Sequence, residues 1–420
     1  MLIVCRLLAS LALLLAGITL IRPRSGWGRL GLFIPKLFTG SMILPIGLLG
    51  LTAGVWGWWA YKDAVTVLLG AAAAILAVRH IARLVLRAKR AVRTLGTNHS
   101  GFARVPAHTM LPYPWVGVWK ITGESRPQRD VRLWEGLSGN FILADIWRPP
   151  GAVRPSGLGI VYLHGSGWHY ADKDFGTRPF FGHLSGQGHV VLDLAYSLAP
   201  AADLFTMMAE VKRAIVWMKT EGMSMDVDPT RVVLMGGSAG GQLALLAAYT
   251  PNDPRFDPPE FGQDTSVCAV VSYYGPPDLR VQYDRFLELP DLSGDSRFER
   301  AFMKFLEARF EFDIVPVHRL LPSFLGGTPA EIPELYALGS PDAHIGPDCP
   351  PTLLLQGEHD FSGMAPEVDR LHQALISAGC RSVLYSLPDT DHGFDLYRPA
   401  WSPAAQAATF VTERFLANLT

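Results

Sequence analysis

Residues 41–61 run for 21 positions without a charge. A helix of that length crosses about 30 Å of hydrocarbon. The run ends in Trp56, Trp58, Trp59 and Tyr61, residue types that settle at a membrane–water interface. Two further apolar runs flank it. Residues 1–21 carry only Arg6. Residues 64–81 carry only Arg79 and His80, near an end where long side chains reach polar surroundings. A cleaved signal peptide is the rival reading of the first run, but Ile18-Thr19-Leu20-Ile21 offers no small-x-small cleavage site. The runs are apolar on all sides rather than along one stripe, which argues against a soluble bundle. Residues 1–95 therefore read as a membrane region with about three transmembrane helices.

Charge supplies the orientation. The net charge of −1 conceals a split: residues 1–98 hold 12 Lys/Arg and one acid, Asp63, leaving 25 Lys/Arg against 37 Asp/Glu in the rest. Arg22, Arg24, Arg29 and Lys36 lie between the first two runs. Arg79, Arg83, Arg87, Lys89, Arg90 and Arg93 follow the third, and only Lys62 separates the second from the third. Basic loops stay in the cytoplasm, so the N-terminus is expected outside and residues 96–420 inside. The stretch 79–93 is expected to face anionic lipid headgroups. Cys5, Cys268, Cys349 and Cys380 show no CxxC spacing, so neither a disulfide framework nor a metal site is expected. The acidic part has no basic block or nucleic-acid motif, and no nucleic-acid partner is expected.

Residues 96–129 read as a linker. From 130 to 420, short β-branched or aliphatic runs alternate with helical stretches, the pattern of a mostly parallel sheet flanked by helices. The strands fall at 131–135, 141–147, 160–163, 190–194, 232–235, 267–273, 352–355 and 383–386. The first two form an antiparallel hairpin. Leu204, Met208, Val211, Ile215 and Met218 mark a core-facing helix. Residues 278–340 interrupt the alternation with aromatics, prolines and a helical segment at 298–312, and are expected to form a cap insertion.

The strand 232–235 runs into Gly236-Gly237-Ser238-Ala239-Gly240-Gly241 and then a helix. Gly-x-Ser-x-Gly in a strand–turn–helix setting is a nucleophile elbow. Gly236 and Gly240 remove side chains that would collide, and the Ser238 hydroxyl is lifted above the sheet. The helix N-terminus favours negative charge developing there. His164-Gly165-Ser166-Gly167-Trp168 follows the strand 160–163. It resembles the His-Gly-Gly-Gly-Trp loop of esterases, and that resemblance implies a loop that presents backbone N–H groups to an oxyanion. Gly165, Ser166 and Ala239 are the expected donors, Ser166 on condition that its φ is negative. Trp168 and the aromatics of 278–340 suggest an apolar acyl pocket.

A serine nucleophile needs a base, and the base needs an orienting carboxylate. Asp360 and His392 follow the strands 352–355 and 383–386, at strand carboxyl ends where open α/β sheets build sites. The order Ser238, Asp360, His392 is the order of a Ser-Asp-His hydrolase triad. His359 is a rival base and Glu358 a rival acid. Asp391 is read as shaping the histidine loop.

On these residues the chain from about 130 onward resembles the α/β-hydrolase superfamily, in its hormone-sensitive-lipase and carboxylesterase branch. Asp193-Leu194-Ala195-Tyr196-Ser197-Leu198-Ala199-Pro200 is similar to that branch's Asp-Tyr-Arg-Leu-Ala-Pro segment, with Ser197 in place of Arg. Asp228-Pro229-Thr230-Arg231 and Ser340-Pro341 also match. The Gly-Gly-Ser-Ala-Gly-Gly elbow looks closer to smaller esterases, including isoprenylcysteine methylesterases and kynurenine formamidases. The membrane region resembles that of actinobacterial membrane-anchored esterases and lipases. The resemblance implies a serine carboxylesterase or lipase acting on a small-molecule or lipid ester, in contact with membrane lipids and without a cofactor. Amide or formamide hydrolysis, prenylcysteine methylester hydrolysis and a catalytically silent scaffold are the alternatives.

Overall fold

The computed structural model describes residues 1–95, 107–119, 125–136, 141–257, 262–290 and 315–419. Four helices come first: α1 (Leu2–Ile18), α2 (Gly26–Ser41), α3 (Ile43–Tyr61) and α4 (Ala64–Thr94). The hairpin β1 (Gln128–Glu135) and β2 (Phe141–Trp147) leads to β3 (Gly159–Leu163), α5 (Arg178–Gly186), β4 (Val190–Ala195) and α6 (Leu204–Thr220). Next come β5 (Val232–Gly237), α7 (Ala239–Tyr249), β6 (Ala269–Tyr273), α8 (Leu279–Leu287), α9 (Val317–Leu325) and α10 (Pro333–Gly339). The chain closes with β7 (Thr352–Gly357), α11 (Ala365–Ser377), β8 (Ser382–Leu387) and α12 (Pro403–Ala417).

All eight strands expected from the sequence are present, in one sheet ordered β1-β2-β4-β3-β5-β6-β7-β8. β1 and β2 pair antiparallel, β2 joins β4 antiparallel, and every later pairing is parallel. Strands buried on both faces read as continuous apolar runs, and β3 and β5 are buried at every position. The stripe of α6 is fully buried, with Leu204, Met208, Val211, Ile215 and Met218 all at 0% exposure. The segment 298–312 lies outside the described residues.

Two features of the first 95 residues differ from the sequence reading. First, the basic segment between the first two apolar runs is itself a helix, α2, with Ser25 as N-cap accepting from Gly28 N–H. Its polarity is inverted. Arg29, Lys36, Thr39 and Ser41 are buried against the body, while Trp27, Ile34 and Phe38 point outward. Second, the third apolar run does not stop near residue 81. α4 runs on to Thr94, 31 residues in all and about 46 Å, and its second half joins the core of the αβ body. Leu84, Ala88, Ala91 and Leu95 are buried in one cluster with Tyr385, Phe410 and Phe415. The Tyr385 hydroxyl donates to the Leu84 carbonyl.

This packing corrects the expected role of residues 79–93. Arg79 and Arg83 both pair with Asp389, at 2.9 and 2.5 Å, and Arg83 and Arg87 flank Glu358. Those guanidinium groups are engaged by carboxylates of the αβ body rather than left to lipid. Arg90 and Arg93 are exposed.

α1, α3 and the first half of α4 pack through small residues: Ala9, Ala12 and Ala16 of α1, Gly47, Gly50 and Gly54 of α3, and Thr66, Gly70, Ala73 and Ala77 of α4. Leu7, Leu14, Leu48, Val55, Trp59, Leu68 and Ile75 face outward. Gly70 lies so close to α3 that a Cβ there would meet the Gly50 carbonyl oxygen at 2.2 Å. Gly70→Ala is therefore expected to force the two helices apart and cost about 1–3 kcal/mol. Thermal unfolding of the purified chain would show a lower Tm, whereas Gly17→Ala, with nothing within 4 Å of the added methyl, would not.

Candidate active site

Ser238 occupies the turn between β5 and α7 with φ 53° and ψ −121°. A side chain at 236 would meet Gly240 backbone atoms at 2.4 Å, and one at 240 would meet the Leu163 carbonyl oxygen at 2.1 Å. Glycine is the residue that fits both positions. The Ser238 N–H donates to the Tyr273 carbonyl at 2.8 Å, tying the turn to β6. Ala239 opens α7 directly behind it and is 1% exposed.

The ends of β7 and β8 bring two more predicted residues to this turn. His392 Nε2 lies 2.9 Å from Ser238 Oγ, and His392 Nδ1 lies 2.8 Å from Asp360 Oδ2. Asp360 is also held by Gln356 Nε2 at 2.8 Å and by the Ser362 N–H and hydroxyl at 2.9 and 2.7 Å. Burial alone would raise its pKa, but His392 and the Ser362 hydrogen bonds outweigh burial and lower it. An ionised Asp360 accepts a hydrogen bond from the Nδ1–H of His392, leaving Nε2 to accept from the Ser238 hydroxyl. For His392, burial lowers the pKa, while Asp360 and then Asp391 raise it, and the net shift is upward.

The rivals point elsewhere. Burial, followed by the charge of Lys36, pushes the His359 pKa down to about 4, and its Nδ1 sits 2.7 Å from Lys36 Nζ on α2. Glu358 faces Arg83 and Arg87. Asp391 accepts from the N–H groups of Phe361 and His392, both at 2.8 Å, so it links the acid loop to the histidine loop. Burial and the neighbouring Asp360 push its pKa up to about 7.

Gly165 lies against the elbow: a Cβ there would be 2.9 Å from the Gly237 carbonyl oxygen and 3.1 Å from Ser238 Cβ. His164 stacks on Tyr196 at 4.5 Å, and the Tyr196 hydroxyl donates to the His164 carbonyl. Ser166 departs from the expected negative φ. It stands at φ 90°, the region a middle glycine would occupy without strain, and its hydroxyl donates to the Tyr170 carbonyl at 2.7 Å. Trp168 also departs from expectation. It is 2% exposed, stacks on Phe324 at 5.0 Å and gives its indole N–H to Gln242 at 2.9 Å, so it braces the loop from behind.

Several neighbours were not singled out from the sequence. Tyr274 lies at 4.3 Å from the His392 ring and donates to Asp395. Phe361 meets His392 edge-on at 5.4 Å and in turn contacts Phe33 of α2 at 4.7 Å. Arg29, Phe33 and Lys36 thus reach Gly363, Phe361 and His359, alternate residues around Asp360. Their i, i+4, i+7 spacing in residues 26–41 was the available signal.

The sheet order, the crossover connections and the strand–serine–helix turn define an α/β-hydrolase. The BD-FAE family profile matches residues 144–375, more than half of the chain, and the chain belongs to that family, within the hormone-sensitive-lipase/carboxylesterase-like α/β-hydrolases. It is similar to the probable carboxylic ester hydrolase LipM of Mycobacterium tuberculosis, 30% identical over 277 residues, covering 66% of this chain and 58% of that one. It is also similar to the esterase LipQ of the same organism, 29% identical over 266 residues, covering 62% and 56%. The chain thus spans a little over half the length of these relatives. Among solved structures, butyrate-bound esterase Est2 of Thermogutta terrifontis matches with a TM-score of 0.50 at 21% identity, covering 71% of this chain and 94% of that one, a likeness of fold.

Gln242 is fully buried and bridges the Trp168 indole to the Gly339 carbonyl at 2.9 and 2.7 Å. Gln242→Ala would strand a buried indole N–H and carbonyl, costing about 1–3 kcal/mol. A fall in Tm is expected, at least as large for Gln242→Glu, which keeps the acceptor for Trp168 but buries a carboxylate against the Gly339 carbonyl with no proton to donate.

Proposed function

We propose that the chain is a membrane-anchored serine hydrolase that cleaves carboxylic esters through an acyl-enzyme. The observation that carries this reading is the line of contacts from Asp360 through His392 to Ser238, at 2.8 and 2.9 Å, on a strand–helix elbow. Ser238 Oγ attacks the ester carbonyl while His392 Nε2 takes its proton. The carbonyl electrons move onto oxygen, where the N–H groups of Gly165 and Ala239 are assigned to stabilise the oxyanion; Ser166, at positive φ, is left out of the set. Collapse expels the alcohol, which receives the proton from His392. Water then attacks the acyl-enzyme by the same route, releasing the acid and restoring Ser238. Asp360 stays ionised and offsets the imidazolium.

Anchoring rests on the inverted packing of α1, α3 and α4. Water drives large apolar residues inward, whereas in lipid, close helix contact favours small residues between helices and large ones outside. The aromatic cluster at 56–61 and the basic segments on the body side support three spans, with the N-terminus outside and the αβ body in the cytoplasm. Arg6, paired with the buried Asp63 at 2.8 Å, closes the far end.

A panel of p-nitrophenyl esters of rising acyl length, set against matching amides, tests the chemistry. The wild-type chain is expected to favour the esters, and Ser238→Ala is expected to lose at least ~10³-fold in kcat. Amide preference would move the assignment to an amidase. The pH profile tests the base. Activity should fall as pH drops through the raised His392 pKa, because protonated Nε2 cannot accept the Ser238 proton. Asp391, only partly ionised near pH 7, adds to that rise by its charge, so Asp391→Asn is expected to shift the acidic limb modestly to lower pH. An unmoved limb would separate Asp391 from the base.

A further inference from the structure

The connection between α1 and α2 forms one wall of a cavity of about 220 Å³ against the αβ body. Arg22 and Arg24 line it from the connection, Arg29 from α2 and Arg285 from α8. Three carboxylates also line it, and two are already matched elsewhere: Asp360 by His392, and Glu358 by Arg83 and Arg87. Glu288 is shared between Arg29 at 2.7 Å and Arg285 at 3.1 Å. Among the described residues Arg22 and Arg24 make no ion pair. The cavity therefore holds an excess of positive charge.

Two buried donors sharpen the point. Arg29 is 8% exposed, and among the described residues neither its Nε nor the buried Nε of Arg285 has a hydrogen-bond partner. A buried guanidinium N–H without an acceptor is costly, and such groups are normally matched. Gly363, at φ 77°, supplies the room: a Cβ there would come within 3.0 Å of Arg29 Nη1. Arg22, Glu358, Ala365 and Pro366 continue into a neighbouring cleft of about 530 Å³ that carries Arg87 and Arg90.

We infer that this arginine-lined cavity binds a phosphate group. Planar guanidinium forks match phosphate oxygens in pairs, and several arginines converging on one cavity favour a multiply bonded oxyanion. The site begins four residues after α1, where the proposed span leaves the bilayer, so the phosphate is that of an anionic lipid headgroup. That source rests on the anchoring reading; the phosphate chemistry does not. Bound there, the headgroup lies beside the loop that carries Asp360 and fixes where a membrane lipid sits relative to Ser238.

The test uses the full chain in detergent. Native mass spectrometry with equal phosphatidylglycerol and phosphatidylcholine reads lipid preference, and calorimetric titration with glycerol 3-phosphate reads the soluble headgroup. Wild type is expected to retain phosphatidylglycerol at least about 5-fold over phosphatidylcholine. R22Q/R24Q, on exposed side chains, and R29Q are expected to bring the ratio near one, whereas K89Q/R93Q, outside the cavity, keeps it. If R29Q unfolds, R22Q/R24Q carries the test. Glycerol 3-phosphate binding that these variants abolish, without any lipid preference, would support the phosphate site with a soluble source. No preference and no glycerol 3-phosphate binding, or a preference that only K89Q/R93Q removes, would overturn it. Sedimentation with membranes after an alkaline wash scores the anchoring reading separately.

Discussion

At the centre of the site is a turn with no room for side chains at positions 236 and 240. Any Cβ at either glycine would push β5, α7 or β3 apart. The left-handed Ser238 backbone between them sets where the hydroxyl can be. Everything else in the site is measured from that point. The ends of β7 and β8 have to deliver a carboxylate and an imidazole within hydrogen-bond reach of it. The loop after β3 has to press backbone, not side chains, against it, which is why Gly165 faces the Gly237 carbonyl so closely.

The loops that carry Asp360 and His392 are not held by the αβ body alone. α2 contacts the acid loop through Phe33 and Lys36, and α4 grips Asp389, three residues before His392, with two arginines. Because the Asp389 side chain is mostly buried, its pairing with Arg79 and Arg83 is shielded from solvent more than a surface ion pair would be. α4 is also too deeply packed to behave as a tether. Burying a side chain such as Leu84 contributes about 1.5–3 kcal/mol, so its second half is part of the fold. The helices of the first 95 residues thus also position two of the three residues proposed for catalysis.

Much of this was legible in the sequence, because the relevant signals are local. Strands buried on both faces announce themselves as β-branched runs, and the elbow is a contiguous motif. Asp360 and His392 each follow a strand end, which parallel-sheet topology makes a shared edge. What escaped was set by long-range packing. α2 has apolar and basic residues in an order that reads as a connecting segment unless its polar face is known to point inward. The fate of Arg79, Arg83 and Arg87 depended on carboxylates about 300 positions away. Trp168 looked like a pocket wall because aromatics near a small-residue loop often are, but Gln242 and Phe324 claim its edge and its face. Ser166 kept a glycine's conformation without being glycine, and its side-chain hydrogen bond to Tyr170 reveals how only once the fold is known.

The central claim is that Ser238 is the atom-bearing nucleophile of the site. Covalent labelling of the full-length chain with a fluorophosphonate, followed by digestion and mass mapping, tests it most directly. The account predicts a single adduct on the peptide carrying Ser238, absent from Ser238→Ala. An adduct on another residue, or labelling that persists in Ser238→Ala, would contradict it.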